Sequence, residues 1–240
     1  MYQFFVDHTF EIGDTISLDK AQEHHAKNVV RLNNEIVRIV SNGIGYYGKG
    51  YVKDNQFYID ILEKDSLIRE LPYQISLAIA LIRREKMELI LQKATELGVH
   101  TIIPFISSRC VVQEKKEKRD KLMERWNRIV QESCAQCKRD KIPTISSIQK
   151  IEDLYSLSYE NRYIANSDLD NPSPLFQSVL HKGDSMIVIG PEGGFSVNEI
   201  EHFKENGFTS VSFGNRILRT ETAAIYAMSL LSSYLDEVGK

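Results

Sequence analysis

The sequence predicts an α/β protein: a small strand-rich barrel over residues 1–70, then a mainly parallel sheet with helices over residues 71–240. Three observations carry that prediction. A chain of 240 residues is comfortable for two domains and can bury a real core. Its N-terminal part is dominated by short β-branched and aromatic runs separated by turn residues. Beyond them, near-continuous apolar runs alternate with segments of helical period, the pattern of strands covered on both faces.

In the N-terminal part "EIVRIV" (35–40), "YYGKGYVK" (46–53) and "QFYIDIL" (56–62) read as strands, with turn chemistry in "SNGIG" and Asp54-Asn55. The segment "LDKAQEHHAKNVVR" reads as a helix with Asp19 as its N-cap, and His24 and His25 on its surface. A polar stretch, "EKDSLIRELP", closes this region. Then "QISLAIALI" (74–82) is a buried strand and "REKMELILQKATELG" a helix. Met87, Ile90, Leu91, Ala94 and Leu97 share one face of it, and Gly98 stops it. "TIIPFI" gives the next strand. A helix over about 119–137 lines up Leu122, Trp126, Ile129, Val130, Ser133, Cys134 and Cys137. Strands follow at 162–166, 185–190 and 209–214. The capping box Ser196/Glu199 opens a helix that Gly207 closes, and a last helix runs from about Glu221 to Asp236.

No apolar run approaches the roughly 18–20 residues of a membrane span, and "MYQFFVDHTFEIGD" lacks a basic region followed by an apolar one. The chain is therefore expected in the cytoplasm, with no membrane partner. Three cysteines cannot all pair, which fits a reducing compartment. Cys134 and Cys137 form a CxxC, yet no second pair or adjacent His completes the four ligands zinc needs, so no metal is expected. Net charge is −3, but residues 109–141 hold eleven Lys/Arg against six Asp/Glu. Such a belt is compatible with a face aimed at a polyanion and equally with a solvated, salt-bridged helix.

Two strand ends carry unusual chemistry: "GPEGGFS" (190–196) and "FGNRILRTETA" (213–223). In an open α/β sheet, ligands bind beyond the carboxyl ends of the strands. The first loop matches no phosphate-binding pattern, lacks a lysine and carries Glu192, whose charge would repel a phosphate. Its glycine backbone suits a flat, uncharged group such as an adenine ring, or a cation; a plain tight turn before a helix is the alternative. The second loop sets Arg216 and Arg219 at a helix mouth, where they suit an anion or a developing negative charge. The alternative there is a capped helix start, with Thr220 as N-cap.

Together "IGPEGGFSVNEI" and "FGNRILRTETAA" resemble the RsmE family of bacterial methyltransferases, which modify N3 of a uridine in small-subunit (16S) ribosomal RNA. "EKMELILQKATELGV", "IIPFISSRC" and "QESCAQCKRDKIP" match in register, while the N-terminal part matches as a PUA-like barrel. Ser108, Ala135 and Lys138 depart from the family pattern. The resemblance implies a SPOUT-type domain with a trefoil knot, S-adenosylmethionine as cofactor and a homodimer. It maps the cofactor site onto Ile189, Gly190, Pro191, Glu192, Gly193, Gly194, Phe213, Gly214, Ile217, Leu218, Arg219, Thr220 and Ala223, with "IANSD" (164–168) as a third wall. Arg109, Arg128, Gln136 and Arg139 become candidates for gripping RNA.

For methylation at a uridine N3, the enzyme must help remove a weakly acidic proton and steady charge on the flanking carbonyls. An arginine stays protonated and suits the second task, which points to Arg219. Glu221 and Glu132 are the candidates for accepting the proton. The competing expectations are a knotted methyltransferase acting on ribose 2′-oxygen or transfer RNA, and a non-catalytic RNA-binding ribosome-assembly protein.

Overall fold

The computed structural model describes residues 1–110, 119–168 and 173–239. The basic stretch at 111–118, part of the belt noted above, lies outside the described residues. The chain forms two compact units, Met1–Glu70 with Cys134–Lys141, and Leu71–Ser133 with Ile142–Lys240. A linear boundary after residue 70 leaves Cys134–Lys141 in the second unit, whereas the structure packs it with the first.

The first unit is a half-barrel of five strands: β1 (Gln3–Val6), β2 (Thr15–Ser17), β3 (Glu35–Ser41), β4 (Ile44–Lys53) and β5 (Gln56–Lys64). Their order is β1-β3-β4-β5-β2, with β1 parallel to β3 and the remaining pairs antiparallel. Both hairpins turn through two residues of positive φ, Asn42-Gly43 and Asp54-Asn55, the conformation that matches strand twist. Helix α1 (Lys20–His24) starts at Asp19, whose carboxylate accepts from Ala21 N and Gln22 N at 2.8 Å, and continues as a π-turn over His25–Val29. Phe4, Leu32, Val37, Ile39, Phe57 and Ile59 fill the core.

Arg38 on β3 is fully buried and is matched at every turn. Its Nε donates to Asp65 Oδ2 at 2.8 Å, its Nη1 to Gln3 Oε1 at 2.8 Å and its Nη2 to Asp140. Any side chain on Gly45 would occupy the guanidinium's space. Glu70 receives Arg139 Nη2 at 2.6 Å and the backbone N–H groups of Asp140 and Lys141. These charge pairs are what holds Cys134–Lys141 to the half-barrel. Cys134 is buried in the same segment, and burial pushes its thiol up to about 12.

The second unit contains β6 (Ile75–Ala80), β7 (Thr101–Ile106), β8 (Thr144–Ile145), β9 (Gln149–Lys150), β10 (Asn161–Ala165), β11 (Ser185–Ile189) and β12 (Thr209–Val211). All pairings are parallel, in the order β12-β10-β11-β6-β7-β8, with β9 also beside β7. Alternation assigns each face its core. Ile75, Leu77 and Ile79 meet α2 (Arg84–Glu96), α6 (Thr220–Val238) and Trp126 of α3 (Arg119–Cys137). Ala78, Ala80, Met186 and Val188 meet α4 (Ile151–Tyr155) and α5 (Val197–Glu205). The carboxyl ends of β10, β11 and β12 therefore converge on one rim.

Candidate active site

Beyond those strand ends lies a cavity of about 750 Å³. Its walls come from three loops. One is Ala165–Asp168 after β10, another Ile189–Val197 leading into α5, and the third spans Ser212–Leu218 before α6. Pro191–Gly194 is a tight turn, closed by Gly194 N donating to Pro191 O at 2.9 Å. Gly214 has φ +93 with nothing within 4 Å of where a Cβ would stand, so the backbone conformation requires glycine and leaves its face open. Gly190 is different: a Cβ there would press the Phe195 ring at 2.9 Å. That ring stacks on Phe105, at 6.4 Å between centroids, and seats the loop on the sheet.

Of the residues expected at the cofactor site, Ile189, Gly190, Pro191, Gly193, Gly194, Phe213, Gly214, Leu218, Thr220 and Ala223 line this cavity. Three do not. Glu192 is drawn away by Lys86 Nζ, 3.2 Å from its Oε1. Ile217 points outward and is 71 % exposed. Arg219 stands at the N-cap position of α6 with extended backbone and makes no side-chain cap. Thr220, expected to be the cap, is instead the first helical residue and is buried. Arg219 is exposed, flanked by two lining residues and free of ion pairs among the described residues.

The candidate proton acceptors separate. Glu221 lies beside the cavity wall in the first turn of α6, with its Oε2 3.3 Å from Lys86 Nζ. That spacing is ion-pair range, but the oxygen has no hydrogen bond of good geometry. Glu132 is instead on an exposed stretch of α3, where Arg128 Nε donates to it at 2.8 Å, an i,i+4 solvent-facing pair. It does not line the cavity, and helix solvation accounts for both side chains. Gln136 is exposed, and Arg139 is buried against Glu70 in the first unit. Arg109 lines the cavity and donates from Nη1 to Gly193 O at 3.0 Å.

Residues outside the two loops also build the site. Glu199 is assigned by sequence only to the capping box, in which it accepts from Ser196 N at 2.7 Å. Its other oxygen accepts from Ser108 N at 2.9 Å, fixing the turn that carries Arg109. Burial pushes its carboxyl up, but those backbone donors outweigh burial and hold it below the ordinary value. Lys204 also lines the cavity, from α5, and Lys86 braces it from α2; neither stands out in the sequence motifs. The signal for Lys86 is a cation in the first turn of the helix that follows a central strand, on the ligand side of the sheet.

Comparison with known proteins agrees with this geometry. The family model described as an RNA methyltransferase domain matches residues 69–232. A ribosomal RNA small subunit methyltransferase E from Bacillus subtilis (strain 168) is 31% identical, over 97% of this chain and 96% of its own. One from Buchnera aphidicola subsp. Schizaphis graminum is 34% identical, over 95% and 94%. The crystal structure of a ribosomal RNA small subunit methyltransferase E from Neisseria gonorrhoeae bound to S-adenosyl methionine superposes with a TM-score of 0.87 at 29% identity, covering 98% of each chain. The fold is accordingly the SPOUT-type α/β architecture with an N-terminal half-barrel. By family match, identity and coverage, the chain belongs to the RNA methyltransferases of the ribosomal RNA small subunit methyltransferase E family.

Proposed function

We propose that this protein is a cytoplasmic, S-adenosylmethionine-dependent enzyme that methylates N3 of a uridine in 16S ribosomal RNA, as a homodimer with a trefoil-knotted C-terminal segment. The observation that carries the reading is the cavity in which both glycine loops meet, at the ends of β11 and β12 on either side of β10. Its size suits a nucleoside-sized ligand, within the roughly 300–1,000 Å³ of common ligand sites. Ile189, Leu218 and Ala223 offer an apolar wall for an adenine ring, and the open face of Gly214 admits close approach. S-adenosylmethionine supplies a methyl group on a sulfonium sulfur. The chain's residues do the rest: they hold the target base in line and steady its charge.

N3 lies on the Watson–Crick edge, so the base must be unpaired or flipped out. Arg219, exposed at the mouth of α6 and free of ion pairs among the described residues, stabilises the negative charge that develops on the carbonyls beside N3. Glu221, two residues on, is the nearer carboxylate for the N3 proton; Glu132 would need RNA or a second copy to bring it close. Arg109, Lys204 and Arg216 form a cationic rim for backbone phosphates. Arg219→Ala should lower methyl transfer to small-subunit RNA by about 100-fold or more while leaving calorimetric binding of S-adenosylmethionine unchanged. Undiminished turnover in that variant would remove Arg219 from the mechanism.

A further inference from the structure

One ammonium joins two walls of the cavity from behind. Lys86, in the first turn of α2, places Nζ 3.2 Å from Glu192 Oε1 and 3.3 Å from Glu221 Oε2. Glu192 belongs to the turn between β11 and α5, and Glu221 to the first turn of α6, so three elements meet here. None of these three side chains lines the cavity, yet their neighbours Pro191, Gly193 and Thr220 do. The ammonium draws the two walls together and screens two carboxylates that would otherwise repel at short range. Glu221 is only 15% exposed, so removing the lysine would leave its charge largely desolvated and unbalanced. Hydrogen bonding to Glu192, more than the opposing desolvation and with help from Glu221, raises the lysine's pKa and keeps it charged.

We infer that Lys86 is a positioning residue: it sets the spacing of the two loops that bind cofactor. The inference rests on the methyltransferase reading above, and the test separates the two. S-adenosylmethionine is titrated calorimetrically, and kcat and KM for methyl transfer are measured, with the wild type, K86M, K86R, E192Q and the double variant K86M/E192Q. The expected result is cofactor binding weakened about tenfold in K86M, with kcat down by about tenfold to a hundredfold. K86R should stay within about threefold of wild type, since it restores a cation between the carboxylates, and E192Q should weaken binding about threefold. The double variant should lie within about twofold of K86M, because the coupling is already lost. Wild-type behaviour in folded K86M overturns the inference, as does a fall in melting temperature with unchanged kinetics, or K86R as impaired as K86M. Should K86M fail to fold, unchanged binding in E192Q overturns it. A wild-type protein that does not bind S-adenosylmethionine removes the underlying reading, and the inference with it.

Discussion

Glu199 shows how much one side chain contributes once both its oxygens are counted. It is 7% exposed and accepts from two backbone N–H groups on separate loops, Ser108 and Ser196. Hydrogen bonds to a charged group contribute about 1.5–3 kcal/mol each, so Glu199→Gln, which keeps the shape but weakens both, should destabilise the fold by about 1–3 kcal/mol. The pH dependence follows from a folded pKa below the ordinary value: the contribution is complete above the unfolded pKa and lost as pH falls through the folded one. Thermal unfolding of wild type and E199Q between pH 3 and pH 7, taken as about the window of an ordinary glutamate, should therefore converge at the acid end. A constant gap across that range would contradict the assignment. The capping pattern in the sequence shows the bond to Ser196 but not the one to Ser108, because the second partner is 91 residues away. Glu192 is similar: its charge excludes a phosphate loop from sequence alone, whereas its partner Lys86 is visible only in three dimensions.

At the scale of elements, segments with a strong period are legible and short ones are not. The helix read over 119–137 is α3, and the capping box and Gly207 bracket α5 as expected. The apolar runs become β6, β7 and β11, and their alternating faces are those of a sheet covered on both sides. Between 142 and 160, however, β8 and β9 are two residues each and α4 is five, too short for any periodicity to show. The pairing of Cys134–Lys141 with the half-barrel is also silent in sequence, because it depends on ion pairs between residues about 70 to 100 apart. Arg38 is the test of that attachment. Two guanidinium groups, Arg38 and Arg69, and the Leu67 N–H hold Asp65 at about 2 against a desolvation that pushes it up. Arg38→Met strands Asp65 and Asp140 without their buried partner and should cost about 3–5 kcal/mol, read as a lower urea midpoint. A midpoint within error of wild type would show that the network contributes little.

For the whole molecule, composition and motif carry different parts of the function. A mildly acidic chain with one basic belt, and no helix among the described residues long and apolar enough to cross a membrane, fits a partner reached through one face. The two glycine loops, 23 residues apart at their starting residues Gly190 and Phe213, are brought to one rim by the parallel sheet, which places β10 between β11 and β12. Ten of the thirteen residues expected at the cofactor site line the resulting cavity, and the three that do not, Glu192, Ile217 and Arg219, are turned outward or paired elsewhere. In the proposed mechanism the exposed Arg219 and the buried Thr220 divide the labour, with the helix start holding cofactor on one side and meeting the target base on the other. The most direct test of that account is nucleoside analysis by mass spectrometry of small-subunit ribosomal RNA, taken from cells lacking this enzyme and incubated with the protein and S-adenosylmethionine. The account predicts 3-methyluridine as the new nucleoside; a ribose-methylated nucleoside, or no methylated product, would contradict it.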